Sequence, residues 1–532
     1  MRISTYEIIL PLLDENEKEI PDYVSFVNGL YGAIDIVEKK YAEKIKATEF
    51  NEIPPVLRER LALRGHLTRK SEAEEIADMK LLSRIHRKTI GRTDIGIKIM
   101  PTYDCNFRCP YCYEQHRLKN GQAWLEHNMS DEIIEAVFSA LDNYKARGYS
   151  IGIFTFYGGE PFLKKNLPVV RKIAERCRDS NIKMDAITNG YDLDAFLDLL
   201  SEFDFTQLQV TIDGVGEINN RRRIHKDGGD TYERILANVE LALERGIGID
   251  LRVNVGSENL HGIKDLIEDL EARGFIGKEK IRAEEEKRLR ETDSNAKTSR
   301  GKFHYYFKAT DNEGHPERNV SEQSIIDELV KAGMGVEETF NHQSQYYFPY
   351  ARLKGLFQKK FFAGFDPAFC GSETGMFIID PFGRLYSCLD FVDKAEMEVG
   401  FVDVKSGRFF TNFDLAKWHT RTADLLEKCQ ACPYCFTCRG GCAGRAQSNY
   451  GSWCREYCGE NKEIFDFIAA RLIGKHWQEI HEEEMSLSLA GPLSRLSQKE
   501  REIFMTSNSQ KEIFELAKET GIFPGEFKGE KK

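Results

Sequence analysis

Residues 95–112 read IGIKIMPTYDCNFRCPYC, and the order of features in that stretch decides the fold. IGIKIM (95–100) is a short β-rich run, and directly after it come Cys105, Cys109 and Cys112 in a C-x3-C-x2-C spacing. At the chain's own cysteine frequency such a match arises by chance about once in a hundred sequences of this kind. Three closely spaced thiols offer three metal ligands and no fourth. A closed structural zinc site needs four, and no His or Cys other than His116 lies nearby. The spacing therefore reads as an iron-sulfur loop with one iron left without a protein ligand.

Working outward, β-rich runs alternate with amphipathic stretches from about Asp94 to Thr310. The strands expected are IGIKIM, YSIGIFTFYG (149–158), IKMDAITN (182–189), TQLQVTID (206–213), IDLRVNV (249–255) and KFHYYFKA (302–309). Helical spacing of Ile133, Ile134, Val137, Phe138 and Leu141 predicts a helix over 131–144, and TYERILANVELALERG (231–246) predicts another. Strand, helix, strand, repeated about six times, means a parallel sheet, open or curled into a partial barrel. Sites in that architecture gather at the C-terminal ends of the strands.

Two strand ends carry polar groups suited to a ligand. The second ends in Thr155-Phe156-Tyr157-Gly158-Gly159-Glu160-Pro161-Phe162, where paired glycines let backbone approach closely and a carboxylate can accept from an amine. The third ends in Ile187-Thr188-Asn189-Gly190, which sets a hydroxyl and an amide beside it. Each is also compatible with an ordinary strand-to-helix turn.

Taken together, these residues resemble the radical S-adenosylmethionine enzyme superfamily over about 94–310. The resemblance implies a partial (β/α)6 barrel with a 4Fe-4S cluster on Cys105, Cys109 and Cys112, packed by Tyr111. S-adenosylmethionine would chelate the open iron, Gly158, Gly159 and Glu160 would meet its amino group, and Thr188 and Asn189 would sit near its ribose. Reductive cleavage would give a 5′-deoxyadenosyl radical that abstracts a substrate hydrogen. Arg223 or Arg252 would pair with the cosubstrate carboxylate. Many relatives carry His-Asp where this chain has Asn219-Asn220.

Nine further cysteines lie between Cys370 and Cys458. Cys370 and Cys388 bracket a segment containing Gly383; then come Cys429-x2-Cys432-x5-Cys438-x3-Cys442 and Cys454-x3-Cys458. This pattern resembles the SPASM extension over about 366–465, which implies two auxiliary 4Fe-4S clusters and so three in all. Cys370, Cys388 and Cys442 would hold one; Cys429, Cys432, Cys438 and a terminal cysteine, Cys458 in preference to Cys454, would hold the other. The first would keep an open iron or be completed by Cys435 or Cys454. Cys435 also creates a Cys432-x2-Cys435-x2-Cys438-x3-Cys442 run that reads as a bacterial ferredoxin pattern. Multiple zinc sites are the alternative. Cys177, alone on a helical stretch, reads as a small buried hydrophobe.

The first 93 residues read as a separate winged-helix-like module. YEIILPLL and YVSFVNGLYGAIDIV suggest strands, and helical segments follow around YAEKIKA, PPVLRERLALRG and SEAEEIADMKLLSRIHRK. Such a module can bind a peptide by strand addition, or serve as a packing extension. The expected organisation is a peptide-recognition-like module at 1–93, the barrel at 94–310, a bridging segment at 311–365, the auxiliary-cluster domain at 366–465 and a helical tail at 466–532. Residues 278–300 are a mixed charge run, read as a solvated helix or loop. The aromatic segment YYFPYARLKGLFQKKFF (346–362) reads as core rather than groove lining.

Composition bounds the rest. The chain has 532 residues, 41% hydrophobic and 30% charged, with a net charge of -11, which argues for a globular protein and against nucleic-acid binding. No stretch approaches a membrane span, and a reducing cytoplasm is expected, where clustered cysteines are metal ligands before they are disulfides. The resemblance implies a precursor peptide with a leader as substrate, and an electron donor such as flavodoxin or ferredoxin. Thioether cross-linking is the expected reaction. Sulfatase maturation is the alternative: relatives of that kind carry an aspartate directly after the cysteine matching Cys388, whereas Leu389 stands here and Asp390, the candidate catalytic residue, follows it. A non-catalytic iron-sulfur electron carrier is the alternative from another class.

Overall fold

The structure is a computed structural model, and it describes residues 1–89, 94–203, 205–277, 301–311, 315–357, 367–482 and 488–522. The charge run at 278–300 lies outside the described residues. The chain forms two compact units: Met1–Arg92 with Gln345–Thr374 and Lys417–Lys532, and Thr93–Ser344 with Gly375–Ala416.

In the first unit, strands β2 (Glu7–Leu13), β3 (Glu19–Asn28) and β4 (Ile34–Glu38) form an antiparallel meander, and β1 (Arg2–Ile3) pairs with β5 (Leu67–Thr68). The helix Pro55–Arg64 begins on a proline, whose missing N–H costs nothing there, and stops at Gly65 with φ +89°. Phe26, Val37, Ile45, Leu61 and Leu67 make its core. Beneath them His66 is fully buried, its Nδ1 2.9 Å from Glu7 and its Nε2 2.8 Å from Asp35, which also pairs with Arg64. The aromatic segment contributes the helix Ser344–Phe357, which buries Tyr346, Tyr350, Leu353 and Leu356 and leaves Tyr347 and Phe348 exposed. Its residues 358–362 lie outside the described residues.

The second unit is α/β, a partial barrel. Strands β6 (Asp94–Ile99), β7 (Ser150–Phe156), β8 (Met184–Thr188), β9 (Phe205–Ile212), β10 (Ile249–Val255) and β11 (Phe303–Ala309) run parallel, each beside its neighbour in sequence. Helices connect them. Asp131–Ala146 is capped by Ser130 and Thr231–Glu244 by Asp230, each accepting from the backbone N–H of the third helical residue. A short strand β12 (Phe377–Ile379) adds parallel to β6, and β13 (Arg384–Tyr386), β14 (Gly400–Asp403) and β15 (Arg408–Thr411) continue the sheet antiparallel.

Alternation along the parallel strands separates two faces. Ile97, Ile99, Phe154, Phe156, Met184 and Ala186 are essentially fully buried. The intervening positions are polar: Lys98, Thr155, Asp185, Gln209, Arg252 and Tyr306. No helix of the described residues is long and apolar enough to cross a membrane.

Candidate active site

The cysteine loop is fixed at both ends. After β6 the Met100 N–H donates to the Ile379 carbonyl at 2.9 Å. Asp104, 1% exposed, then accepts from the Cys105 N–H at 2.9 Å and from the Lys165 ammonium at 2.6 Å. On the far side Arg108 N–H donates to the Ile224 carbonyl at 2.7 Å, and Lys226 N–H to the Asn106 carbonyl at 2.8 Å. The loop is thereby tied to the segment after β9 as well as to its own strand.

The three thiols share one electrostatic environment. Burial first, then Glu160, Cys109 and Cys112, push the Cys105 thiol well up. Cys112 rises to about 12 through burial, Glu114 and Cys109. Cys109 rises by burial, offset by Arg223. Thiols that oppose one another's ionisation in a desolvated loop suit a bound cation, whose charge reverses that penalty. All are free thiols, and among the described residues no group of three or more His, Cys, Asp or Glu side chains forms a ready-made ion site. The fit to an iron-sulfur cluster is therefore one of donor type, spacing and neighbourhood.

Gly158 and Gly159 bring β7's end against this loop. Both have positive φ, +77° and +47°. A Cβ on Gly159 would lie 2.3 Å from the Asp104 carbonyl oxygen and one on Gly158 1.9 Å from the Met100 methyl, so only glycine permits the approach. Glu160, 2% exposed, donates its N–H to the Asp104 carbonyl at 2.8 Å. Its carboxylate accepts from the Thr188 hydroxyl and the Asn189 N–H, both at 2.6 Å, and from the Phe162 N–H at 2.9 Å. Burial raises its pKa to about 7 against these donors. Asn189 in turn donates to the Asn106 side chain at 2.6 Å. Glu160, Thr188 and Asn189 thus form one network with the cysteine loop.

Tyr111 accepts from Arg223 Nη1 at 3.0 Å and from Asn254 Nδ2 at 3.3 Å, while Arg222 lies 4.9 Å from its ring centroid. Arg223 also covers Phe107 at 5.3 Å, and its buried Nε has no hydrogen-bond partner. Arg252 lies on β10, donating to Asn254 Oδ1 at 2.9 Å. Asn219 and Asn220 organise the following turn: Asn219 Nδ2 donates to Thr231, and Asn220 Oδ1 accepts from the Thr231 and Tyr232 N–H groups. Motif reading alone passes over the polar row on β6, β7 and β8, and the Tyr306 hydroxyl donating to Gln209 at 2.8 Å. Its signal is polar residues at alternate positions of strands that a parallel sheet would otherwise make apolar.

Most of the later cysteines lie in the first unit. Cys429, Cys432, Cys435 and Cys438 occupy nested turns, in which Cys432 N–H donates to the Cys429 carbonyl and Cys435 N–H to the Cys432 carbonyl, each at 3.1 Å. After burial, Cys438, Cys432 and Cys458 raise the Cys429 thiol to about 12, and Cys458 and Cys432 raise Cys438 to about 11. Cys435 is 1% exposed, within the field of Cys432 and Cys429. Cys370 feels Glu373 and Cys442, and Cys454 is exposed. Arg421, 2% exposed, ties these segments together. It pairs with Glu373 and donates to the carbonyls of Gly441 at 2.8 Å, Gly440 at 3.3 Å, Trp453 at 2.7 Å and Arg455 at 2.8 Å. Cys388 and the exposed Asp390 belong to the second unit, directly after β13. Cys177 is fully buried in the helix Leu167–Asp179.

A family model described as Radical SAM superfamily matches residues 99–270. The cysteine-type anaerobic sulfatase-maturating enzyme of Clostridium perfringens is 25% identical over 378 residues, 69% of this chain and 94% of that protein. The Fe-coproporphyrin III synthase of Methanosarcina barkeri is 28% identical over 171 residues, 32% of this chain and 39% of that protein. Among solved structures, native anSMEcpe with bound AdoMet and Cp18Cys peptide gives a TM-score of 0.49 at 19% identity, covering 70% of this chain and 96% of that one. Streptococcus suis SuiB bound to precursor peptide SuiA gives 0.43 at 11% identity, covering 86% and 99%. Residues 99–270 are thus a radical SAM enzyme domain.

Proposed function

We propose that this enzyme is a peptide maturase: it modifies a ribosomally made precursor by thioether cross-linking, with SPASM-type auxiliary clusters on its later cysteines. The observation that carries the peptide reading lies within the first unit. The N-terminal module packs directly on the cysteine-rich loop: the Tyr6 hydroxyl donates to the Gln430 carbonyl, and a Cβ on Gly29 would fall 1.7 Å from the Pro433 carbonyl oxygen. In this reading a module able to take a peptide strand on a sheet edge sits against the loop that carries Cys429, Cys432, Cys435 and Cys438.

The chain's own residues have separable roles in this reading. Cys105, Cys109 and Cys112 hold the first cluster. Bound there with S-adenosylmethionine, that cluster supplies a 5′-deoxyadenosyl radical able to abstract a hydrogen atom. Gly158 and Gly159 admit the cosubstrate's amino group beside the loop, Thr188 and Asn189 lie on its ribose side, and Arg223, with an open buried Nε, meets its carboxylate. Cys429, Cys432, Cys438 and Cys458, which act on one another electrostatically, hold one auxiliary cluster. Cys370 and Cys442, which lie in the same unit and act on one another, belong to the other. A reduced flavodoxin or ferredoxin supplies electrons.

A second reading is favoured by the Clostridium perfringens relative, which this chain covers over 94% of its length and whose name specifies sulfatase maturation. Asp390 would then serve as base. One experiment separates the two. Anaerobically reconstituted protein, reductant and S-adenosylmethionine are incubated with a leader-bearing, cysteine-containing peptide and with a sulfatase-derived cysteine peptide. Thioether formation retains the cysteine sulfur and removes a hydrogen pair, whereas oxidation to the aldehyde loses the sulfur. Turnover of the sulfatase peptide alone would overturn the maturase reading.

A further inference from the structure

The polar row inside the barrel is not used by the cluster or the cosubstrate as placed above. Register puts Lys98 beside Thr155 and Thr155 beside Asp185, so the three side chains stand in line on one face of three adjacent parallel strands. Their neighbours on the opposite face, Ile97, Ile99, Phe154, Phe156, Met184 and Ala186, are buried. Such strands are normally apolar on both faces, and uncompensated polar groups at these positions are costly.

The row is only partly compensated. Thr155, beside Asp185 in register, favours the charged form of its carboxylate, whose Oδ1 is buried without a hydrogen-bond partner. Burial pushes the Asp185 carboxyl up and the Lys98 ammonium down, and Asp185 is the charge that opposes the shift of Lys98. Both residues are half-buried, so neither is sealed off. One wall thus presents an open acceptor and an ammonium donor of opposite charge.

We propose that Lys98 and Asp185 form a subsite for a primary carboxamide, the side chain of an asparagine or glutamine in the substrate. The proposal rests on the reading of the substrate as a peptide. A carboxylate or an ammonium would meet a like charge in the pair, whereas a neutral amide meets none. A trans backbone amide carries its N–H and C=O on opposite edges. A primary carboxamide carries both at one end, matching a donor and an acceptor on one wall. It donates to Asp185 Oδ1 and accepts from Lys98 Nζ, and so supplies the partner the carboxylate lacks.

The test is ligand-observed NMR on the reconstituted full chain with three probes that share their backbone amides: N-acetyl-glutamine methylamide, N-acetyl-glutamate methylamide and N-acetyl-norleucine methylamide. The glutamine probe is expected to bind about tenfold tighter than either other probe, as two charge-assisted hydrogen bonds allow. Replacing the pair with apolar groups of similar size, Lys98→Met with Asp185→Leu, is expected to remove that preference and favour norleucine. Equal binding of all three probes to the wild type, preference for glutamate, or a glutamine preference that survives the double replacement would each overturn the subsite. Release of 5′-deoxyadenosine in the same wild-type sample reports on radical chemistry, so failure of the subsite and failure of the enzyme reading remain distinguishable.

Discussion

The Thr188 hydroxyl donates to the Glu160 carboxylate at 2.6 Å, joining the end of β8 to the end of β7 inside a site where both residues are buried. The same carboxylate reaches the cysteine loop electrostatically, raising Cys105. Thr188→Val keeps the shape and removes one of the two donors to Glu160 Oε1, leaving the Phe162 N–H, at a cost of about 1.5–3 kcal/mol for a hydrogen bond to a charged group. Equilibrium dialysis should show affinity for S-adenosylmethionine reduced by about tenfold or more. Unchanged affinity would show that the bond does not shape the cosubstrate site.

Gly159→Ala tests the close approach of β7's end to the loop. The new methyl would sit 2.3 Å from the Asp104 carbonyl oxygen and 2.7 Å from the Tyr103 carbonyl carbon, both backbone atoms that cannot yield alone. The expected cost is about 1–3 kcal/mol, with a displaced Cys105 and loss of iron from the first cluster. Gly491→Ala, which meets nothing within 4 Å, should leave iron content unaltered. Matching iron content in the two variants would refute the packing argument.

Arg421 is predicted to hold the auxiliary-cluster scaffold together, because its guanidinium satisfies four backbone carbonyls and the buried Glu373. Arg421→Gln strands that carboxylate at a cost of about 3–5 kcal/mol. Iron should fall from about 12 toward about 4 per chain, with the remainder on the first loop. The unfolding temperature of the metal-free protein should fall as well. Retention of all the iron would argue against this role.

His66 gives a pH signature in the first unit. Although burial opposes its charge, Glu7 and Asp35 raise its pKa to about 9, above its ordinary value of about 6.5. A folded-state pKa raised in this way contributes stability that is fully present below about pH 6.5 and is lost as pH rises through about 9, up to about 3 kcal/mol. Glu7, Asp35, Arg64 and Arg60 face the ring or its partners, so the difference between wild type and His66→Gln isolates its share. Denaturant midpoints for the two should converge between about pH 7 and 10. Parallel profiles would contradict the assignment.

The six parallel strands are legible in the sequence to within two residues at each end, because each is a short β-rich run between helical periods. What escapes sequence reading is non-local. β12 pairs with β6 only after the whole α/β alternation has passed, and no pattern in either strand announces the other. Arg421 is equally silent, since most of its acceptors are backbone carbonyls, which every residue carries. The Lys98, Thr155 and Asp185 row needs register: each strand alone shows only scattered polar residues, and only the pairing of three strands makes a line. Asn219-Asn220, legible as a departure from the related pattern, gains its meaning from Thr231 and Tyr232, whose backbone and side-chain groups it binds.

In the proposed function, Cys105, Cys109 and Cys112 carry a cluster that cleaves S-adenosylmethionine. Release of 5′-deoxyadenosine by the anaerobically reconstituted, reduced protein tests it most directly. The wild type is expected to release it and Cys105→Ala, Cys109→Ala and Cys112→Ala are not, since each removes one of the three thiols on the loop. Intact S-adenosylmethionine in the presence of wild-type protein with its iron fully assembled, or continued release by all three alanine variants, would contradict it.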